Sequence, residues 1–239
     1  NIPEMRLDIY EGTNVPLSMR VVVGKEDTQT PIFNDEMSSI VFSPYWNVPD
    51  SIVEGETAPA FARDPSFLDR NNIEILRQSK RGAEPVDPSS VNWDDESELK
   101  ELLFRQRPGP QNALGHVKFL FPNPFHVYLH DTPADALFAR SGRALSHGCV
   151  RLEQPQALAR YVLRDAREWD NERIRAAMDA GVEKQVALKD KLPVHIVYFT
   201  AWPTDEGGFA EANRLGGVWI RSGGPPPTAA VYALPSVSA

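Results

Sequence analysis

The feature that most constrains this chain is a period-two alternation that ends on reactive chemistry. In Ser146-His147-Gly148-Cys149-Val150-Arg151-Leu152, a strand entered through a turn sends His147, Cys149 and Arg151 to one face and Val150 and Leu152 to the other. One face is polar, the other destined for a core. Cys149 is the only cysteine in 239 residues. A free thiol titrates near ~8.5, so it needs a cation or a hydrogen-bond donor beside it to ionise at neutral pH. His147 and Arg151 are candidates for that neighbour. Gly148 lets the backbone approach a ligand closely, and its amide and that of Cys149 could face a developing oxyanion. The competing reading of a lone cysteine is a small buried hydrophobe. The flanking groups favour acyl transfer through a thioester.

A second polar segment lies upstream, at His126-Val127-Tyr128-Leu129-His130-Asp131-Thr132-Pro133. Pro122 and Pro124 open it and Pro133 closes it, which argues for a strand rather than a helix. Val127 and Leu129 then enter the core, and His126, Tyr128 and His130 share the other face. Two histidines so placed stand about 13 Å apart at ~3.3 Å per residue, too far to share a zinc ion. What remains is an imidazole at a strand end, suited to a general base if the fold brings it to Cys149.

Alternation recurs along much of the chain. Met5, Leu7 and Ile9, a Gly12-Thr13-Asn14 turn, then Leu17, Met19, Val21 and Val23 predict a β-hairpin. Further strand-like runs fall at 38–43, 116–121, 126–130, 149–152 and 185–200, the last almost continuously apolar and expected to be central. The spacing predicts a mainly β fold, a β-sandwich. Residues 50–112 break the rhythm with acids, prolines and helical candidates near 65–80 and 95–103, and read as an insertion. After the cysteine strand, Pro155 suits a first helical turn, with Leu158, Val162, Ala166 and Trp169 as its apolar stripe. Asp170 can cap a second helix carrying Ile174, Ala177 and Met178 and ending at Gly181. Beyond Thr204, Gly and Pro clusters predict a loose extension over 204–239.

Charge narrows the partners. A formal charge of -8 and a pI near 5.2 argue against nucleic acid. Residues 140–175 nevertheless hold eight arginines against five acids, and residues 50–100 hold six basic groups against twelve acids. A basic flank beside Cys149 suits carboxylates, and an acidic insertion suits amines; both could equally be solvated surfaces. No apolar run approaches the length of a membrane span. A single cysteine cannot form an internal disulfide, so the redox compartment stays open.

The combination Tyr128-Leu129-His130-Asp131-Thr132 with Ser146-His147-Gly148-Cys149-Val150-Arg151, nineteen residues apart from His130 to Cys149, resembles the active-site signature of the L,D-transpeptidases of the YkuD-domain family. Pro44-Tyr45-Trp46-Asn47-Val48-Pro49, Pro108-Gly109-Pro110-Gln111-Asn112-Ala113-Leu114-Gly115 and the stretch from Val194 to Trp202 resemble the subgroup with a lid inserted over the catalytic cleft. The likeness spans about residues 1–203. It implies a YkuD-like sandwich with residues 50–112 as a partly helical lid and two helices after the cysteine strand. It implies Cys149 as nucleophile and His130 as base, with the carbonyl of Asp131 holding the second imidazole nitrogen. His147 would line the oxyanion region or orient the donor, and Gly148 and Cys149 would give amides. Trp46 and Tyr128 would wall the cleft, Arg151 would bind a stem-peptide carboxylate or brace the loop, and Ser146 and Asp131 would border the substrate. No metal and no organic cofactor are implied.

On this resemblance the thiolate attacks the third residue of a peptidoglycan tetrapeptide stem, a diaminopimelate, D-alanine leaves, and an amine of a second stem forms the cross-link. Water in place of that amine makes an L,D-carboxypeptidase, a D-amino acid gives stem exchange, and some lidded relatives use the first stem residue as donor. Carbapenem β-lactams would be covalent inhibitors, and the location a Gram-negative periplasm, with a signal sequence upstream of Asn1. Two other classes remain: a papain-like wall amidase or endopeptidase, in which the cysteine opens a helix and precedes the histidine, and a wall-binding module without turnover.

Overall fold

Alternation becomes strand wherever both faces find something to pack against or a solvent to meet. The computed structural model describes residues 1–80, 82–203, 209–212 and 218–221. In chain order its strands are β1 (Arg6–Glu11), β2 (Asn14–Gly24), β3 (Phe33–Phe42), β4 (Trp46–Asn47), β5 (Ile73–Ser79), β6 (Gly82–Pro85), β7 (Leu102–Gln106), β8 (Val117–Leu120), β9 (Leu129–His130), β10 (Ala144–Ser146), β11 (Val150–Leu152), β12 (Lys184–Ile196), β13 (Ala201–Pro203), β14 (Phe209–Ala212) and β15 (Val218–Arg221).

The principal sheet runs β1-β2-β11-β9-β8-β3-β12, with β10 beside β2. The expected hairpin is present, pairing Leu7 with Met19 and Ile9 with Leu17. The segments flanking the two ends of this path meet, since the Ile2 amide donates to the Val197 carbonyl at 2.9 Å. One apolar core fills the space between, drawing Ile9, Val21, Ile40, Phe42, Phe119, Leu129, Val150 and Leu152 from six strands. The fold is mainly β, in keeping with the sandwich read from the sequence.

Two expectations need correction. β12 is an end strand, paired only with β3, and most of its residues are at least partly exposed. Lys184, Lys189, Asp190 and Lys191 carry the charge, and Pro193 the missing donor, that suit an edge. The histidine strand is also shorter than expected. β9 holds only Leu129 and His130, and His126 sits in the left-handed region at φ 54°, outside any strand.

The helices after the cysteine strand form as their signals predict. α5 (Pro155–Val162) buries Leu158 and Ala159, and α6 (Asn171–Asp179) buries Ile174 and Met178, with Asp170 accepting the Arg173 amide at 2.8 Å. Trp169, between them, stacks on Phe42 with ring centres 5.1 Å apart and seats the pair on β3.

The insertion is a small sheet with its own core. Four strands run β4-β7-β5-β6. Val48, Val53, Leu68, Ile75, Leu99 and Phe104 are buried as a cluster separate from the main core. Short helices cover it: α1 (Asp50–Ile52), α2 (Ala58–Arg63), α3 (Phe67–Arg70) and α4 (Glu96–Glu101). Of the two helical candidates, the first survives only at Phe67–Arg70. Asn72 at φ 52° ends that turn, and Ile73–Ser79 pairs with β7 instead, a tertiary preference for which local periodicity carried no signal. The unit begins at Trp46, earlier than the boundary at residue 50, because β4 is one of its strands.

Both connections to the insertion are tied down. Buried Asn112 donates to the carbonyls of Pro44 and Arg107, each at 3.0 Å, and accepts from the Leu114 amide at 2.8 Å. Gln106 bonds the Asn71 and Gln111 carbonyls and the Ala113 amide, each at 2.9 Å. Of the extension expected to be loose, β14 pairs with β13 on one side and with β15 on the other; the rest of 204–239 lies outside the described residues. Among the described residues no helix is long and apolar enough to cross a membrane.

Phe104 is fully buried at the centre of the second core. Phe104→Ala should cost ~3–5 kcal/mol locally. Hydrogen exchange should show it as faster exchange through residues 46–106 while β2, β3 and β8 keep their protection; uniform loss would mean that the two cores fold as one unit.

Candidate active site

The site rests on one register. β9 and β11 are parallel neighbours with Val150 beside Leu129 and Arg151 beside His130. The Val150 amide donates to the Tyr128 carbonyl at 3.1 Å, so Cys149 falls beside Tyr128 and diagonal to His130. On the other side of β9, Lys118 of β8 is the direct partner of His130. The imidazole therefore lies in a row between two cations, Lys118 and Arg151, with the sulfur one step along the strand.

Cys149 is held at the tip of a braced turn. Gly148 has φ 114°, a conformation that L side chains rarely adopt, and its carbonyl accepts the buried Thr30 hydroxyl at 2.8 Å. Ser146 closes the loop: its hydroxyl donates to the Cys149 carbonyl at 2.6 Å and accepts the Gly148 amide at 3.1 Å. That second bond occupies the amide expected to face an oxyanion. The turn also lifts His147 out of the strand, so it does not share the face of Cys149 and Arg151 through strand alternation. Its Nε2 instead meets the Glu56 carboxylate of the insertion at 2.9 Å.

The groups that most favour a thiolate are not the cations that sequence suggested. The amide and hydroxyl of Tyr128 both act to lower the thiol pKa, ahead of the Arg151 charge, and the thiol itself points at the His126 carbonyl 3.9 Å away. Trp46 favours ionisation of the Tyr128 phenol, so a strand of the insertion acts on the same phenol that bears on the sulfur. Burial pushes the Cys149 thiol above its ordinary range, and the Tyr128 donors and the Arg151 charge offset this only in part. Burial likewise holds the Tyr128 phenol well above its usual value.

His130 is buried, and its Nδ1 lies 2.5 Å from the Asp131 carbonyl. A carbonyl only accepts, so Nδ1 carries the proton and Nε2 keeps a lone pair. Burial pushes its pKa down to about 3, opposed by the Asp131 carbonyl and reinforced by Arg151 and Lys118. The imidazole is thus neutral across the physiological range. The Asp131 carboxylate accepts the amides of His116 and Thr132, both at 2.7 Å, and so faces the protein interior rather than the cleft. A Cβ on Gly115 would lie 2.4 Å from that carboxylate, which explains glycine there. Arg151 is half-buried, and its Nε has no hydrogen-bond partner among the described residues.

Of the sequence-based candidates, Cys149, Tyr128, Trp46, His130 and Arg151 come together. Ser146 and Asp131 brace the turn and the base. Glu56 and Lys118 were missed; Lys118 follows from strand pairing, whereas Glu56 had no signal beyond its acidic segment. No group of three or more metal-binding side chains occurs among the described residues. A groove of about 790 Å³ lies elsewhere, between β1 and β12, and touches the back of β9 and β11 at Leu129 and Val150.

A cysteine that opens a strand, with its histidine upstream on a parallel neighbour, is not the helix-borne thiol of a papain-like scaffold. The family described as the YkuD L,D-transpeptidase catalytic domain matches residues 1–196. The chain belongs to that family. It is 34% identical over 202 residues to a protein of Haemophilus influenzae named "Putative L,D-transpeptidase", covering 84% of this chain and 40% of that relative. The chain thus spans about two fifths of the relative's length.

Two titrations test the geometry. Alkylation of Cys149 by iodoacetamide should rise through a midpoint above that of an ordinary thiol, with no acid limb near pH 6.5, because His130 gains its proton only near pH 3. Tyr128→Phe removes one donor to the thiolate and should move that midpoint upward by about 1 pH unit. An unmoved midpoint would exclude the phenol as a partner of the sulfur.

Proposed function

We propose that this L,D-transpeptidase domain joins peptidoglycan stem peptides through a thioester on Cys149. The observation that carries the reading is the parallel register that sets Cys149 beside Tyr128 and diagonal to His130, with the imidazole tautomer fixed by the Asp131 carbonyl. The Cys149 S–H turns from the His126 carbonyl towards His130 Nε2, which takes its proton as sulfur attacks the donor carbonyl. The oxyanion forms in reach of the Tyr128 hydroxyl and the Cys149 amide, the Gly148 amide being held by Ser146. Collapse breaks the amide bond, and the imidazolium gives its proton to the departing amine of D-alanine. An acceptor amine then attacks the thioester, His130 takes its proton, and the thiolate leaves and is reprotonated.

Neutral thiol and neutral imidazole suit this sequence. The ion pair arises only as the proton crosses, with Lys118 and Arg151 nearby to stabilise the thiolate and to return the imidazole to neutrality. Arg151, with a buried N–H left over, would hold a carboxylate of the stem. The donor is read as the third-residue diaminopimelate of a tetrapeptide, the location as the periplasm, and carbapenems as reagents for the same thiol. The insertion then acts as a lid, since Trp46 and Glu56 bring it onto Tyr128 and His147. A lid that excludes water favours the amine as acceptor and so transfer over carboxypeptidase release.

With purified disaccharide-tetrapeptide, mass analysis should find cross-linked dimer from the wild type and none from Cys149→Ala; turnover by that variant would refute the thioester. A carbapenem should add once to the intact protein and not to Cys149→Ala. Replacing residues 50–100 by a short Gly/Ser linker, if the main sheet folds, should lower the ratio of cross-linked dimer to hydrolysed tripeptide. An unchanged ratio would remove the lid role.

A further inference from the structure

Glu56 has no part in the proton transfers just described, yet with Trp46 it is one of the two residues by which the insertion reaches the surroundings of Cys149. It lies in a π-helical turn, Val53–Thr57, in which the Ala58 amide reaches back to the Val53 carbonyl. The widening has a local cause. Pro59 has no N–H for the Gly55 carbonyl and its ring would strike that carbonyl in an α-helix. Glu54, on the same turn, is engaged by Lys100 at 3.2 Å. Glu56 is left to face the site, with Oε1 2.9 Å from His147 Nε2 and its charge also acting on Arg151.

The seat it faces holds the Arg151 guanidinium and is incompletely satisfied. His147 and Arg151 stand two residues before and two after Cys149, and the buried Arg151 Nε has no hydrogen-bond partner among the described residues. A buried guanidinium N–H without an acceptor is unfavourable until an anion supplies one. Glu56 answers this only from a distance, since its side chain is 60% exposed and its bond is to His147. An acyl donor that releases a C-terminal amino acid brings a better anion. Its reacting carbonyl, amide nitrogen, α-carbon and carboxylate are consecutive, so a carbonyl on Sγ puts the carboxylate beside the residues flanking Cys149.

We propose that Glu56 is a built-in stand-in for the donor's terminal carboxylate: it occupies the His147 and Arg151 seat when no donor is bound and is displaced when one arrives. This rests on the transpeptidase reading and goes beyond it by giving the seat a competitor within the chain. Displacement frees the π turn from His147 while Trp46 still holds its own contact, so the lid can admit a donor without losing Tyr128. A donor lacking the carboxylate has nothing to exchange for Glu56. The insertion thereby selects for chains that end at the residue to be released.

The test compares wild type with Glu56→Gln, which keeps shape and removes charge. N-acetyl-D-alanine, followed through histidine NMR signals, should bind the variant about 2- to 5-fold more tightly, the range set by loss of one solvent-exposed ion pair. The second-order rate of acylation by a carbapenem, whose carboxylate is also two bonds beyond the acyl nitrogen, should rise by a similar factor. Its carboxyl ester should gain nothing, and iodoacetamide alkylation should not change. Equal or weaker binding of N-acetyl-D-alanine would overturn the stand-in, as would equal acceleration of the ester, which would make Glu56 a plain gate. If the wild type forms no carbapenem adduct while the variant still binds N-acetyl-D-alanine more tightly, the thioester reading fails and the carboxylate seat stands.

Discussion

The parallel pairing of β9 with β11 is the constraint on which the site depends. Two-residue and three-residue strands are short of ladder bonds, and each is held by what flanks it. β11 is locked on its other side by β2, with Arg151 beside Val22 and Leu152 beside Val21, and β9 by β8, with Lys118 beside His130. A slip of one residue would turn His130 into the core and Leu129 into the cleft. Val150 and Leu129, both buried, oppose that slip, so the apolar side of each strand fixes the reactive side.

The second constraint is dryness. Both partners of the proposed proton transfer are largely removed from water, and burial is the largest influence on each: up for the thiol, down for the imidazole. Cations on both neighbouring strands reinforce the neutral imidazole. A pre-formed thiolate and imidazolium would be costly in such a place, whereas a pair created as the proton moves meets charges already in position. Tyr128 contributes at three points: its carbonyl fixes the register, and its amide and hydroxyl both favour the thiolate.

The insertion is joined to this centre by more than its chain connections. Its own core lets it hold a shape, and Asn112 and Gln106 fasten both crossings by side chains that replace strand ladders. Trp46 belongs to its sheet and acts on the Tyr128 phenol, and Glu56 belongs to its π turn and meets His147. Movement of this unit therefore alters the surroundings of the sulfur and of the cationic seat through two separate contacts.

The sequence by itself determined the elements whose signals are local. The β1–β2 hairpin follows from alternation across a glycine turn, α5 and α6 from Pro155 and the Asp170 cap, and the pairing of Cys149 with His130 from motifs whose spacing carries the family likeness. The core faces of Val127, Leu129, Val150 and Leu152 were legible for the same reason. Only the tertiary structure decided matters that depend on partners distant in the chain. β12 lies at an edge because its charges meet no second neighbour, and Ile73–Ser79 is strand because β7 lies beside it. His126 leaves the strand, and the Gly148 amide is taken by a hydroxyl, because turn geometry overrides alternation within a few residues. Glu56 and Lys118 reach the site across gaps of more than thirty residues from Cys149. Periodicity records which face a residue shows, but electrostatics and hydrogen bonding depend on what another segment brings to that face, and only the folded chain sets that distance.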